Sequence, residues 1–319
     1  MSGVLIFKRF IFCIACCCVC GFCAADTVSD PYNFDAALAN ARNKCNGLSA
    51  ELQEIKKMAA INTFVTGAGT VAGGGALYTG IKKSNIDKKL SELERKLAQL
   101  KTMSDHEFVG FLKEMSQYED AMEEYNLACA QKKDLEKKSK NLGNWRTGLM
   151  VANTATAVAG TVIADQNEED GRSIAERITE CKSATNALKV HMGQSRLSGD
   201  EVTYHRLEKI ITKCDDMYPR DLEKIYTHSQ ISKTSSAVNI GTGVAGTVAS
   251  VVANTSSIRN DNTTRGQTRE QNWNTAANVL AGTSTVASGV STVFNAKTIK
   301  AINDNILYTT QCEEALKWE

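Results

Sequence analysis

Four long stretches of this chain carry no charged residue, and they constrain its fold more than any other feature. They cover residues 58–81, 147–164, 234–258 and 272–296, and all are rich in Gly, Ala, Val and Thr. Three of them repeat one unit, an asparagine followed seven residues later by Gly-Thr-Val, and the fourth carries Ser-Thr-Val in a similar place. The three units begin at Asn62, Asn153 and Asn239. This internal repetition predicts four related segments.

Small residues recur at every fourth position within these stretches. Residues four apart share one face of a helix, and a face of Gly and Ala lets another helix backbone approach closely. Because glycine weakens a helix by about 1 kcal/mol relative to alanine, we expect tertiary contacts to hold these helices. The predicted helix-packing residues are Ala68, Ala72, Ala76, Gly148, Ala152, Gly160, Gly241, Ala245, Ala249, Ala281 and Gly289.

Between these stretches, apolar residues alternate steps of three and four. One such series is Leu38, Ala41, Cys45, Leu48, Leu52, Ile55 and Ala59, and a second runs from Ile174 to Met192. This heptad spacing places an apolar seam on one face of a helix, as in coiled coils. Proline occurs twice, and no stretch shows the alternation of a strand. The sequence predicts an all-α, elongated fold of antiparallel helical hairpins, with coiled-coil-like heptad segments and four small-residue close-packing helices.

The N-terminal segment predicts export. Lys8 and Arg9 precede an apolar run at 10–22, and Ala24-Ala25 precedes Asp26. This is the pattern of a cleaved signal peptide, here 1–25. An uncleaved anchor is the alternative, but the run is short for a span that needs about 20 residues. For the remainder we expect a first helical unit at 26–195 and a second helical hairpin unit at 196–319.

Cysteine positions then predict disulfides, because an exported chain meets an oxidising compartment. Five cysteines follow the signal peptide. Cys214 and Cys312 flank the third and fourth stretches at comparable distances, and Cys45 and Cys181 flank the first and second. We therefore expect the disulfides Cys45–Cys181 and Cys214–Cys312, with Cys129 free or forming an intermolecular bridge.

Two interpretations of the four stretches stay open. Twenty-five helical residues span about 37 Å, enough for a hydrocarbon core of about 30 Å. Against a membrane, each stretch contains asparagine, which is costly in lipid. Segment 165–172 is acidic, whereas Arg259, Arg265 and Arg269 make the other connection basic, so no consistent positive-inside pattern emerges. The sequence favours water-soluble close-packed hairpins, with membrane insertion as the alternative.

No catalytic or cofactor-binding motif stands out. The four histidines lack metal-ligand spacing, and the glycines of 67–73 lack the strand that a dinucleotide-binding loop requires. A net charge of +1 does not indicate nucleic-acid binding. We therefore expect an exported, non-enzymatic structural or protein-interaction protein of the periplasm or cell envelope. It would need no cofactor or metal and would bind a protein partner or itself; the alternative is a membrane-inserting or pore-forming helical protein.

Overall fold

The structure is a computed structural model and describes residues 33–107, 115–217, 219–255 and 264–317. This part of the chain is helical and contains no strand, which confirms the predicted all-α fold class. The helices are α1 (Phe34–Cys45), α2 (Leu48–Glu107), α3 (Met115–Ser198), α4 (Glu201–Asp215), α5 (Pro219–Asn254) and α6 (Thr264–Leu316). The predicted signal peptide and residues 256–258 of the third uncharged stretch lie outside the described residues.

Contacts group the described residues into two compact units. The cysteine unit contains 33–46, Glu180–Asp216 and 311–317, and the bundle unit contains the rest of the described chain, within Gly47–Thr179 and Met217–Thr310. This grouping joins segments that are distant in sequence. It is therefore a different kind of division from the consecutive segments 26–195 and 196–319, which stay a prediction.

The bundle unit is built from parts of α2, α3, α5 and α6, packed as antiparallel neighbours. Asn62 of α2 is hydrogen bonded to Asn295 of α6, whereas Gly80, further along α2, contacts Asn278 of α6. In the same way α3 approaches α5 near Ser250 at Arg146 and near Ser236 at Gly160. The four uncharged stretches therefore lie side by side at one level.

Burial follows steps of three and four along each helix of the bundle unit. On α2 the buried positions continue without a break from Leu48 through Ala59 to Lys83. On α3 a similar series runs from Ser139 to Ile178. One spacing therefore positions the core residues both inside the uncharged stretches and beyond them.

Local signals fix the helix ends of the cysteine unit. The side chain of Asn33 accepts a hydrogen bond from the Ala36 amide at 3.2 Å, and Asp200 caps α4 through the Thr203 amide at 3.1 Å. The turn before α4 needs Gly199, whose φ of 75° is in the left-handed region. Two disulfides, Cys45–Cys181 and Cys214–Cys312, then join the helices of this unit.

Candidate functional site

The uncharged layer is the name used below for residues 58–81, 147–164, 234–255 and 272–296 of the bundle unit. Its inward-facing side chains are mostly small or polar. They are Asn62, Thr66, Gly69, Gly73, Ala76 and Gly80 on α2; Met150, Asn153, Ala157, Gly160 and Ala164 on α3; Ser236, Asn239, Gly243, Gly246, Ser250 and Ala253 on α5; and Asn274, Ala277, Ala281, Ser284, Ser288, Ser291 and Asn295 on α6. Met150 is the largest apolar side chain in this set.

Hydrogen bonds join three helices at the centre of the layer. Asn153 of α3 and Asn239 of α5 each donate to the other's side-chain oxygen at 3.2 Å. Asn153 also donates to Ser284 at 2.6 Å, and Asn239 donates to Ser288 at 2.6 Å. Because each buried amide finds partners on other helices, the cost of burying it is offset.

A second polar group lies at one end of the layer. Asn62 donates to Asn295 at 3.1 Å, and Asn295 donates to the Thr66 hydroxyl at 3.3 Å. The hydroxyls of Ser232 and Ser291 are 2.6 Å apart. These contacts again connect different helices, so the polar interior is shared by the whole bundle.

At the other end of the layer, the buried side chains of Arg146 and Lys83 bind acceptors that also face inward. Arg146 donates to Ser250 at 3.0 Å, to Asn274 at 2.9 Å and to Asn278 at 3.2 Å. Lys83, of which 1% is exposed, lies 2.6 Å from Asp87 and 3.2 Å from Glu270. The guanidinium and the ammonium group are therefore both satisfied within the bundle.

Glycine permits this close packing at two central positions. A Cβ at Gly69 would lie 2.5 Å from the Thr156 hydroxyl oxygen and 3.1 Å from the Ser288 hydroxyl oxygen. A Cβ at Gly160 would lie 2.9 Å from Cγ2 of Thr66. The closest distance at each position is shorter than Cβ contacts in proteins, so an added methyl group would force Thr156 or Thr66 to shift.

The outer face of the uncharged layer is apolar. Phe64 is 78% exposed and Val71 77% exposed. The exposed large hydrophobic residues are Ile61, Phe64, Val71, Tyr78 and Ile81 on α2; Val151, Val158 and Val162 on α3; Val238, Val244, Val248 and Val251 on α5; and Val279, Val286, Val290 and Val293 on α6. Monomeric water-soluble proteins rarely expose apolar surface so continuously.

Threonines on this outer face use their hydroxyl groups in hydrogen bonds to the backbone of their own helix. The exposed Thr234, Thr275 and Thr283 each donate to the backbone carbonyl four residues earlier, at 2.9, 2.8 and 3.1 Å. Such a bond leaves the threonine methyl group facing outward. The surface of the layer is thus less polar than its composition suggests.

Beyond the layer, the same helices bury larger apolar side chains and carry charge on their outward faces. Buried apolar positions there include Leu52, Ile55, Ile174, Ile178, Leu222, Ile225 and Ile302, and buried polar positions include Asn167, Ser229, Thr298, Asn305 and Thr309. Outward positions carry charges and ion pairs, such as Lys57–Glu54 at 2.5 Å and Arg172–Glu168 at 2.9 Å. On the hairpin of α2 and α3, a hydrogen bond to Glu94 raises the pKa of Lys132. This is the ordinary arrangement of a helical bundle in water.

The predicted helix-packing residues are divided between the two faces. Ala76, Gly160, Ala249 and Ala281 are buried, and Ala72 and Gly289 are half-buried. Ala68, Gly148, Ala152, Gly241 and Ala245 are exposed. The reason is geometric: four residues rotate about 40° past a full turn, so a row at every fourth position leaves the interface, whereas steps of three and four stay on it.

The cysteines pair as the sequence analysis proposes. In the cysteine unit Cys45 and Cys181 have Cα atoms 4.8 Å apart, and those of Cys214 and Cys312 are 4.6 Å apart. Cys129 of α3 is the free cysteine of the described residues. The sulfur atoms of Cys45, Cys181 and Cys312 lie within 4.8 Å of one another, but in disulfides they are not the thiolates that bind metals.

Aromatic side chains collect at the Arg146 end of the layer. Trp145 is 67% exposed, and Trp273 and Tyr78 are also exposed. Tyr78 precedes by two residues Gly80, which contacts Asn278 and Arg146, so the three rings lie near one level. Asn272 is exposed at the same edge.

Comparisons with known proteins give no further assignment. No family model, curated protein or solved structure matches the chain.

Proposed function

We propose that the uncharged layer crosses a lipid bilayer and that the chain is a membrane-anchored structural or interaction protein. The observation that carries this proposal is the change of the outward face along single helices. In the layer, small residues, amides and hydroxyls face inward and valines face outward. Beyond it, charges face outward, and leucines and isoleucines are buried together with polar residues such as Asn167 and Asn305. In water it is costly to expose an apolar face of a helix. In lipid it is costly to expose a polar or charged face instead.

The dimensions of the layer suit a membrane. Its longer stretch on α2, 58–81, rises about 36 Å, and its shorter stretch on α3, 147–164, rises about 27 Å. A hydrocarbon core is about 30 Å thick. Two helices, Met122–Ser198 and Leu222–Asn254, are long and apolar enough to cross a membrane by length and composition. In each, an 18-residue window has a mean hydropathy of 1.4, which is modest because the inward faces include polar residues.

Asparagine inside a membrane bundle is compatible with this proposal. In lipid the hydrophobic effect does not drive helices together, so close packing and interhelical hydrogen bonds do. The glycines at 69 and 160 supply the close approach, and the Asn153–Asn239 pair supplies the hydrogen bonds. The polar residues that argue against a membrane in the sequence are therefore turned away from the lipid.

The order of crossings also accounts for the different charges of the two connecting segments. Each stretch that crosses moves the chain to the other side, so 165–172 and 264–269 face opposite sides. If the chain after the predicted signal peptide begins on the exported side, two crossings return the acidic segment 165–172 to that side, and a third places Arg265 and Arg269 on the other. An excess of Lys and Arg on the side that is not exported is the pattern expected of a membrane protein.

Counting the crossings in the same way assigns each cysteine to one side of the membrane. Cys45, Cys181, Cys214 and Cys312 all fall on the exported side, where disulfides persist. Cys129 alone falls on the other side, and it is the free cysteine of the described residues. In this proposal the charged hairpin of 82–146 lies on the side opposite to export, and no catalytic role is needed.

A matched pair of substitutions on α3 tests the proposal. Val158 lies in the layer and is 47% exposed; Val190 lies outside it and is 56% exposed. In water, aspartate at either surface position changes stability by less than about 0.5 kcal/mol. In lipid, aspartate at the centre of a span costs about 2.5–3.5 kcal/mol.

We therefore expect Val158→Asp to reduce the folded yield in membranes severely and Val190→Asp to leave it unchanged. The yield is measured by immunoblotting of membrane fractions, and thermal melting is measured on purified protein. Equal tolerance of both variants would refute the membrane proposal and favour a water-soluble interaction protein.

A further inference from the structure

One edge of the uncharged layer carries a surplus of outward positive charge. Within ten residues of the Arg146 end, the exposed charged side chains of the described residues are all cationic. They form the cationic collar: Lys82, Lys88 and Lys89 on α2; Lys137, Lys138 and Lys140 on α3; and Arg265 and Arg269 on α6. These side chains are distributed over three helices and do not converge on one point.

The carboxylates of Asp87 and Glu270, which lie closest to the layer at this edge, do not neutralise this collar, because they bind a buried cation. Asp87 and Glu270 both bind the buried Lys83, and Asp87 also accepts hydrogen bonds from Ser139 at 2.5 Å and Asn274 at 3.3 Å. In the collar itself, Lys138 pairs with Asp134 at 2.7 Å on its own helix. Lys82 lies over the Tyr78 ring at 5.3 Å. The outward field at this edge is therefore positive.

The opposite edge has no such surplus. Its exposed carboxylates include Glu51, Glu54, Asp165, Glu169, Asp170 and Asp304. Several of its cations are already paired, as in Lys57–Glu54 and in Lys233 with Asp165 and Glu168. The two edges of one layer thus differ in charge although they are equally close to its apolar surface.

We infer that the cationic collar binds the headgroups of anionic phospholipids in the leaflet at the Arg146 end of the layer. This inference rests on the membrane-spanning function proposed above. Each Lys or Arg near an anionic membrane surface contributes about 1 kcal/mol, a factor of about five in binding. Trp145, Trp273 and Tyr78 lie at the same edge, where aromatic rings occupy the headgroup level of a bilayer. Cations spread over three helices at this level fit many headgroups and not one soluble anion.

The test uses the full-length protein in vesicles of phosphatidylcholine with a minority of phosphatidylglycerol. The collar variant is Lys82→Gln, Lys140→Gln, Arg265→Gln and Arg269→Gln combined. The control variant removes the same charge from the opposite edge: Lys56→Gln, Lys57→Gln, Lys297→Gln and Lys300→Gln. Extraction in mild detergent, followed by mass spectrometry, measures how strongly phosphatidylglycerol is enriched over phosphatidylcholine in the retained lipid.

We expect the wild type and the control variant to enrich phosphatidylglycerol by about fivefold or more, and the collar variant to lose that enrichment. Inorganic phosphate should not displace the bound lipid. Equal enrichment by collar and control variants, or displacement by free phosphate, overturns the inference.

Carbonate treatment of the same vesicles separates this result from the parent proposal. Release of the wild type into the supernatant would defeat the membrane-spanning function and the collar together. Retention in the membrane with no preference for phosphatidylglycerol would defeat the collar alone.

Discussion

At the scale of single residues, the uncharged layer depends on which side chains face the neighbouring helices. Glycine and serine let the helices approach, and asparagine joins them by hydrogen bonds such as the Asn153–Asn239 pair. Exposed threonines bond to their own helix. Each residue type therefore has a defined place, and residues of equal size on opposite faces of one helix should respond very differently to substitution.

Two glycines of α3 allow that difference to be measured. A Cβ at Gly160 would meet Thr66 at 2.9 Å and Asn62 at 3.2 Å, whereas nothing lies within 4 Å of a Cβ at Gly148. We expect Gly160→Leu to cost about 1–3 kcal/mol or more through overpacking. Gly148→Leu should be neutral or stabilising, because leucine has the higher helix propensity.

Thermal unfolding of both variants in the same lipid or detergent measures this contrast. A Gly160→Leu variant that melts at or above the wild-type temperature would show that the helices do not pack as described.

At the scale of elements, each long helix combines two patterns, and this limits what the sequence can predict. The all-α class, the four uncharged stretches and the cysteine pairs follow from spacing and composition. The inward face of each stretch does not, because nearly every residue there is small, aliphatic or threonine and no apolar face stands out. Rows at every fourth residue therefore placed Ala68 and Ala245 at an interface, whereas both are exposed.

One signal could have identified the inward face. The heptad series that begins at Leu38 and passes through Ala59 continues with the same steps to Asn62, Thr66, Gly69 and Gly73. Extending that frame predicts that Asn62 and Thr66 are buried, as observed. This extension places polar residues in the interior, contrary to the rule that apolar residues face inward. That rule holds in water and is reversed in lipid.

The count of crossings leads to a prediction for Cys129. In the proposed order of crossings, this thiol follows one crossing from the exported side and lies on the other side of the membrane. A membrane-impermeant maleimide should therefore leave Cys129 unmodified in sealed right-side-out vesicles and modify it after permeabilisation. For reference, a cysteine at the exposed Asn303, introduced with Cys129→Ser, should react in sealed vesicles. Labelling of Cys129 before permeabilisation would contradict the proposed order of crossings.

At the scale of the whole molecule, the average composition does not reveal that polarity differs between the uncharged layer and the rest of the chain. Charged residues make up 23% of the chain and its net charge is +1, as in many water-soluble proteins. The charges are nevertheless excluded from one layer of the bundle unit, and that layer combines a small-residue and polar interior with an apolar surface. A chain of this kind is suited to joining two aqueous regions across a membrane.

Alkaline carbonate extraction of membranes that contain the full-length wild-type protein tests this central claim most directly. Carbonate removes proteins that are held by charge or by other proteins, and it leaves helices that span the lipid in place. The account predicts that the protein stays in the membrane pellet and is released only by detergent. Its recovery in the carbonate supernatant as a folded, disulfide-bonded monomer would contradict the claim that the uncharged layer lies in lipid.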